Sequence, residues 1–346
     1  MSQIFMARDT ATGKEINQVA EQLAAAGHRV IRGPEITPGI KQVFPPESYA
    51  EYFANTDVIV VTSRSVCSRE VMLAAPQLRA IVTPTIGVDA IDMEAAHELG
   101  LVVGHGAMPE NFLSVAESVV LLFTSLFYHI KTAESLLRTN APRPYLRQAR
   151  MLRGKTIGMV GFGRIARAVV ERLQGWGVNF QAYDPYVAAS DLPSNIKAVD
   201  LPTLLRTSDL VSLHVTLTPE TRHMIGEAEI RSMKKGAFLV NTSRGGIVDE
   251  DAVYRARRDG HLGGVALDVF ETEPLSADSP LRQLEDNVIL TPHFLSHTCE
   301  VHEVMPDVLR TNIERVLAGE PPLYTQNPRT IPLWRERMAR LSSTKS

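Results

Sequence analysis

Short apolar runs recur along the chain at 4–6, 58–61, 80–82, 156–160, 180–183, 210–213, 238–241, 264–267 and 288–290. Amphipathic helical patterns fall between them, as at 14–26, 164–176 and 249–259. The runs are continuous in apolar character rather than alternating, which marks strands buried on both faces. Strand–helix alternation of this kind predicts an α/β fold with parallel sheets covered on each side by helices. A further apolar helical pattern spans 113–130, and a long one runs from about 294 to 318. There is no internal repeat and no low-complexity tract. The stretch 140–144 carries Pro142 and Pro144 and predicts a loop leading into the basic segment 147–155. The tail from 320 is rich in proline and polar residues, so it is expected to wrap the surface, with 342–346 disordered.

The chain's 346 residues exceed what one hydrophobic core usually serves, so two domains are expected. Lys+Arg 36 against Asp+Glu 39 leaves a net charge of −3, which argues against nucleic acid or an acidic membrane as an obligatory partner. Small anions remain possible substrates, because they need only one or two local cations. Cys67 and Cys299 are too few and too far apart for a disulfide framework or a metal set, and a reducing cytoplasm is the expected compartment. The N-terminus lacks the charged start and apolar core of a signal peptide. The most apolar helical run, 114–130, includes Glu117, Ser125 and His129 and is read as short of a bilayer span, so a soluble protein is expected.

The sharpest local pattern is Gly158, Gly161, Gly163 and Ala166, at the junction of the strand 156–160 and the helix that opens at Arg164. Gly161 permits a tight turn, Gly163 lets main chain approach a pyrophosphate, and Ala166 is small enough for the helix to pack on the strand. The free N–H groups of the first helical turn, at Arg164 and Ile165, together with the helix dipole, favour an anion there. The next strand ends at Asp184, at about the 20-residue spacing of a dinucleotide-binding unit. Its carboxylate suits ribose hydroxyls and repels a 2′-phosphate, and no arginine follows, so NAD is expected over NADP.

Three segments further on lie in a telling order. One runs from Val240 through Thr242 and Arg244 to Asp249, the next from Ala266 through Asp268 and Glu271 to Glu273 and Pro274, and the last from Leu290 to His293. Together with the stretch from Leu213 to Pro219 and the glycine loop, they resemble the D-isomer-specific 2-hydroxyacid dehydrogenase family over roughly residues 81–318. The resemblance implies two doubly wound parallel-sheet domains, a Rossmann coenzyme domain at 106–293 inserted into a flavodoxin-like substrate domain formed by 1–105 and 294–346. Crossing points near 105–111 and 293–297 are expected to act as hinges. It implies a homodimer, NAD as cofactor, no metal, and a 2-keto acid or 2-hydroxy acid as substrate.

Carried over position by position, the family's catalytic arginine, glutamate and histidine fall on Arg244, Glu273 and His293. The chemistry needs those types. A keto carbon that receives a hydride leaves an alkoxide in need of a proton, which histidine can supply near neutral pH. A glutamate on the far ring nitrogen sets the tautomer and favours the imidazolium. Arginine presents a planar fork to carboxylate and carbonyl oxygens. Arg164, Ile165 and Thr242 are assigned to the coenzyme by the same resemblance, and Asp268 to orienting the nicotinamide amide.

Ile86 and Gly87 match the backbone donors that hold the substrate carboxylate. Thr83, Pro84 and Thr85 depart from the usual residues beside them, and Pro84 has no N–H to give. Met108 and Pro109 stand where small residues are usual and are read as a hinge and pocket wall, or else as packing at a helix entry. Three alternatives stand beside the reductase reading. One is an NAD-sensing scaffold of the same fold, against which the filled catalytic positions and the want of a long docking tail both count. A phosphite- or formate-type dehydrogenase is another, formate oxidation usually having glutamine where Glu273 stands. The third is phosphoglycerate oxidation, for which Arg64 is the one candidate phosphate ligand and the chain ends too soon for a further regulatory domain.

Overall fold

A computed structural model describes residues 1–37, 39–143 and 148–343. The chain divides into two compact units, Met1–Asn111 with Thr298–Ser346, and Phe112–His297.

The first unit is built on five parallel strands: β1 (Gln3–Met6), β2 (Arg29–Arg32), β3 (Val58–Val60), β4 (Ala80–Val82) and β5 (Val102–Gly104), in the order β2-β1-β3-β4-β5. This is the flavodoxin-like order, with its switch point between β1 and β3. Successive side chains of a strand point to opposite faces. Phe5, Ile59, Ile81 and Val103 therefore enter one core, while Ile4, Met6, Val58, Val60 and Val82 enter another. Both faces are dry, which is why the strands read as unbroken apolar runs. The second core is completed by Leu309, Ile313 and Val316 from the helix Cys299–Leu317, and by Trp334 from the helix Ile331–Ser343.

The tail thus departs from the expectation of a surface wrap. Trp334 is fully buried and its ring N–H donates to the carbonyl of Arg79 at 2.7 Å. Arg337 lies on the same helix and donates to the carbonyls of Leu78, Leu99 and Pro76. Ser342 and Ser343, placed in the disordered end by sequence, belong to this helix, whereas 344–346 lie outside the described residues. So do Pro144 and Arg147, part of the predicted loop and basic segment.

The second unit holds seven parallel strands: β6 (Thr156–Val160), β7 (Asn179–Tyr183), β8 (Ile196–Ala198), β9 (Leu210–Leu213), β10 (Ala237–Asn241), β11 (Leu262–Leu267) and β12 (Val288–Leu290). Their order is β12-β11-β10-β9-β6-β7-β8. Winding starts at β6, runs out to β8, and returns to the other side from β9 onward. This is the Rossmann order with a seventh strand outside it, and ligands bind such sheets beyond the carboxyl ends of the strands next to the reversal.

The apolar pattern expected at 113–130 is realised as two helices, Pro109–Phe127 and Ile130–Arg138, divided at His129, whose φ of 52° is left-handed. Starting at Pro109 and stopping before His129, the first has a mean hydropathy of 1.4 over its best window. By length and composition it is therefore long enough to cross a membrane, contrary to the sequence reading. Half of that window is buried within the protein. Ala116, Val119, Phe123 and Leu126 pack against Ile157, Met159 and Phe238 of the sheet, which makes it a core helix of this unit. Met108, just before it, is fully buried against Val301 and Met305 within the first unit. Its position favours helix-entry packing over a pocket wall.

Candidate active site

The residues singled out for the coenzyme lie at the carboxyl ends of four strands of this sheet, β6, β7, β10 and β11. Gly161 has φ 88°, open to glycine at little cost, and its N–H donates to the carbonyl of Tyr183 at 2.8 Å. A Cβ there would come within 2.8 Å of the main chain of His214, so the turn is closed against the end of β9. Gly163 is the N-cap of the helix Arg164–Arg172 and has no side chain to cap it. No heavy atom would lie within 4 Å of a Cβ at Gly163. Open space therefore lies beside Gly163 at the N-terminus of this helix, where the dipole's positive end favours an anion, a cradle fit for a pyrophosphate.

Asp184 follows directly on β7 and holds the glycine loop. One carboxylate oxygen accepts from Phe162 N–H at 2.8 Å and the other from Tyr186 N–H at 2.9 Å. A carboxylate has about four acceptor positions, so two remain for ribose hydroxyls. These features fit a dinucleotide, and NAD when bound supplies the hydride chemistry.

Across the reversal, β10 ends at Asn241 and opens into the turn that carries Thr242 and Arg244. Asn241 ties that turn, with its amide N–H donating to the carbonyl of Arg244 at 2.9 Å and its Oδ1 accepting from Ser243 N–H at 3.0 Å. The Ser243 hydroxyl donates to the carbonyl of Leu213, which links the turn to β9. Gly245 lies so close to the next loop that a Cβ would fall 1.8 Å from the carbonyl carbon of Phe270. Only glycine fits.

The loop after β11 carries Asp268 and Glu273, and the turn after β12 carries His293. Nδ1 of His293 lies 2.9 Å from one carboxylate oxygen of Glu273, and the other oxygen accepts from Phe270 N–H at 3.1 Å. Burial pushes the Glu273 carboxyl up, but the His293 ring, the Phe270 N–H and the charge of Arg244 outweigh it, and it lies below the ordinary carboxylate value. With Nδ1 occupied, Nε2 is the ring nitrogen left for a substrate. The side chain is about one-third exposed, as a proton-transferring group must be.

His293 has φ 53°, a left-handed conformation that costs a non-glycine residue about 1–3 kcal/mol. Asp268 holds it there. Its buried carboxylate accepts from the Thr291 hydroxyl at 2.7 Å, from Phe294 N–H at 3.0 Å and from Leu295 N–H at 3.4 Å, bracketing His293 on both sides. Burial raises the Asp268 carboxyl despite these bonds. The sequence reading assigned Asp268 to the nicotinamide and missed this clamp. It also missed Glu250, whose carboxylate accepts from Glu271 N–H at 2.7 Å and steadies the loop bearing Glu273. An aspartate just after one strand, with Thr291-Pro292-His293 just after the next, was the one available hint.

Ile86 and Gly87 belong to the first unit, after β4, and both are partly buried. Among the described residues no group of three or more His, Cys, Asp or Glu side chains is placed to hold a metal.

A Rossmann sheet, a glycine cradle at its switch point and a carboxylate–imidazole pair at the carboxyl ends of β11 and β12 are the features of a nicotinamide-dependent oxidoreductase. The family model for the D-isomer specific 2-hydroxyacid dehydrogenase NAD binding domain matches residues 120–294. The sequence is 39% identical over 290 residues to a glyoxylate reductase of Thermofilum pendens, covering 81% of this chain and 84% of that protein. It is 38% identical over 276 residues to a D-3-phosphoglycerate dehydrogenase of Methanocaldococcus jannaschii, covering 79% of this chain and 52% of that one. The chain thus spans about half the length of that relative. A D-lactate dehydrogenase of Aquifex aeolicus, solved with NAD and lactic acid, superposes with a TM-score of 0.78 at 28% identity, over 92% of this chain and 96% of that one. The chain belongs to the D-isomer specific 2-hydroxyacid dehydrogenase family. Its cofactor is NAD, and hydride transfer between 2-keto and 2-hydroxy acids is the reaction that fits its relatives.

Proposed function

We propose that this chain interconverts a 2-keto acid and the D-2-hydroxy acid, with His293 as the acid and base, Glu273 as its partner, and Arg244 as the cation at the substrate. The observation that carries the proposal is the His293–Glu273 pair at 2.9 Å, set on adjoining loops at the carboxyl ends of β11 and β12. A proton on Nδ1 is shared with the carboxylate, so Nε2 donates to the alkoxide in reduction and, as a neutral nitrogen, accepts in oxidation. Reduction therefore needs the protonated ring and oxidation the neutral one, and the two rates should respond to pH with opposite signs. Arg244 and the N–H groups of Ile86 and Gly87 are assigned to the substrate carboxylate. Gly161, Gly163, Arg164, Ile165, Asp184, Thr242 and Asp268 are assigned to the coenzyme side.

We place the enzyme in the cytoplasm as a homodimer, with neither membrane nor nucleic acid as partner. Support for self-association comes from exposed apolar side chains on the second unit. Leu121, Tyr128, Ile130, Leu137 and Met151 are all exposed there, and Leu137 is 84% exposed.

The test is loss of NADH absorbance with glyoxylate, hydroxypyruvate, pyruvate, phenylpyruvate and phosphohydroxypyruvate, with His293→Ala and NADPH as controls. Turnover of one acid, reduced about 10²–10⁴-fold in the variant, supports the assignment. Silence across the panel with tight NADH binding would instead favour the scaffold reading or a phosphite-type substrate.

A further inference from the structure

We infer that His105 is a positioning residue for the substrate carboxylate, acting through the Ile86–Gly87 peptide. This rests on the reading of Ile86 and Gly87 as carboxylate donors. His105 follows β5, is only 5% exposed, and its Nδ1 lies 3.3 Å from the carbonyl oxygen of Ile86. A carbonyl oxygen only accepts, so Nδ1 carries the proton.

The consequence follows from peptide geometry. The Ile86 carbonyl and the Gly87 N–H belong to one planar trans unit and point in opposite directions. Fixing the oxygen fixes the direction of the N–H. A hydrogen bond accepted by the carbonyl also polarises the amide and strengthens its N–H as a donor. His105 thus both aims and sharpens the Gly87 donor without touching the substrate.

The histidine is itself held from behind. Its N–H donates to the carbonyl of Tyr324 at 3.0 Å, and its carbonyl accepts from the side-chain amide of the fully buried Asn312 at 3.3 Å. Gly106 next to it donates to the carbonyl of Thr85 at 2.9 Å, and a Cβ at Gly106 would fall 1.9 Å from the carbonyl oxygen of Pro84. The segments 84–86 and 105–106 are therefore in direct main-chain contact. The Thr85 hydroxyl, 3.1 Å from that of Thr83, reaches the next carbonyl, that of Gly87, at 3.4 Å. Thr83, Pro84 and Thr85 are thereby explained as a support for the loop, with Pro84 serving through its carbonyl where it has no N–H.

The test compares wild type, His105→Leu and His105→Asn on the keto acid turned over best and on its methyl ester. Leucine removes the donor, while the asparagine amide restores one near the position of Nδ1. Loss of one net hydrogen bond should raise KM for the acid about 3- to 10-fold in the leucine variant. Turnover number and KM for NADH should stay within about twofold, the ester should be unaffected, and asparagine should recover most of the loss. Equal effects of leucine and asparagine, equal effects on acid and ester, or no effect on either would overturn the role of His105. A wild-type enzyme that does not distinguish the acid from its ester would instead sink the carboxylate-donor reading beneath it.

Discussion

Lowering the pH from 7 to about 4.5 should destabilise the second unit through one side chain, His214. The ring sits at the end of β9, fully buried, with Nε2 2.9 Å from the Ser212 hydroxyl and Nδ1 without a hydrogen-bond partner among the described residues. Burial pushes its pKa down to about 4. In the unfolded chain the same ring titrates near 6.5. The folded value is the lower of the two, so between them the unfolded state binds the extra proton. The stabilising contribution is whole above pH 6.5 and is lost as pH falls toward 4. Each unit of pH within that window is worth about 1.4 kcal/mol, and two units give roughly 2.5 kcal/mol at pH 4.5 after allowing for partial protonation of the folded ring.

The assay is urea unfolding at both pH values for wild type and His214→Gln, which keeps a partner for Ser212 but cannot titrate. Other groups contribute equally to both proteins, so the difference of differences isolates the ring. Wild type should lose about 2.5 kcal/mol more than the variant on acidification. Parallel losses would refute the reasoning, since they would mean that His214 does not stay neutral in the fold. Because the main chain of His214 closes the Gly161 turn, the same titration should weaken NADH binding in wild type first.

Three other outcomes can be checked directly. Gly245→Ala should cut turnover by at least about 10²-fold with NADH binding retained, because the added carbon must displace the Phe270 main chain and with it Glu273; unchanged turnover would show that the loop yields. Trp334→Ala should cost the first unit about 3–5 kcal/mol in chemical denaturation, with a loss near zero contradicting its place in the core. A thiol reagent should modify one cysteine in the native protein, the exposed Cys299, and reach Cys67 only after unfolding, because burial pushes that thiol up to about 12.

What the apolar pattern revealed and what it hid follow one physical line. Strands with neighbours on both sides bury both faces, and each of them stands out as an apolar run. The three that escaped, β2, β5 and β8, are all edge strands. β2 is two apolar residues between two arginines, and β8 exposes Lys197. An edge pairs on one side only and needs little burial, so its pattern is faint. β5 is well buried but only three residues long and closes on a glycine. The C-terminal helix was hidden differently. One tryptophan carries its burial, and Arg337, polar to any hydropathy reading, docks it by hydrogen-bonding three loop carbonyls. Its guanidinium is a structural donor that looks like a surface charge.

The candidate site divides along the same line. Arg244, Glu273 and His293 are readable because the proposed reaction demands those side chains, and few other types could replace them. The clamp made by Asp268, the closeness of Gly245 and the supports from Glu250 and His105 were not read, because each acts mainly on main-chain atoms. Asp268 secures two N–H groups and a hydroxyl, Glu250 an N–H, and His105 a carbonyl. Every residue offers those main-chain partners, so no pattern of side chains announces them. Yet the left-handed turn at His293 depends on one such contact, and the aim of the Gly87 N–H on another. A motif therefore specifies which groups react, while the precision with which they meet is held by hydrogen bonds that only coordinates reveal. On this reasoning Asp268→Asn, which keeps one acceptor but loses the charge, should impair turnover more than NADH binding; the reverse pattern, measured by NADH fluorescence titration beside steady-state kinetics, would make the coenzyme rather than the His293 turn its main charge.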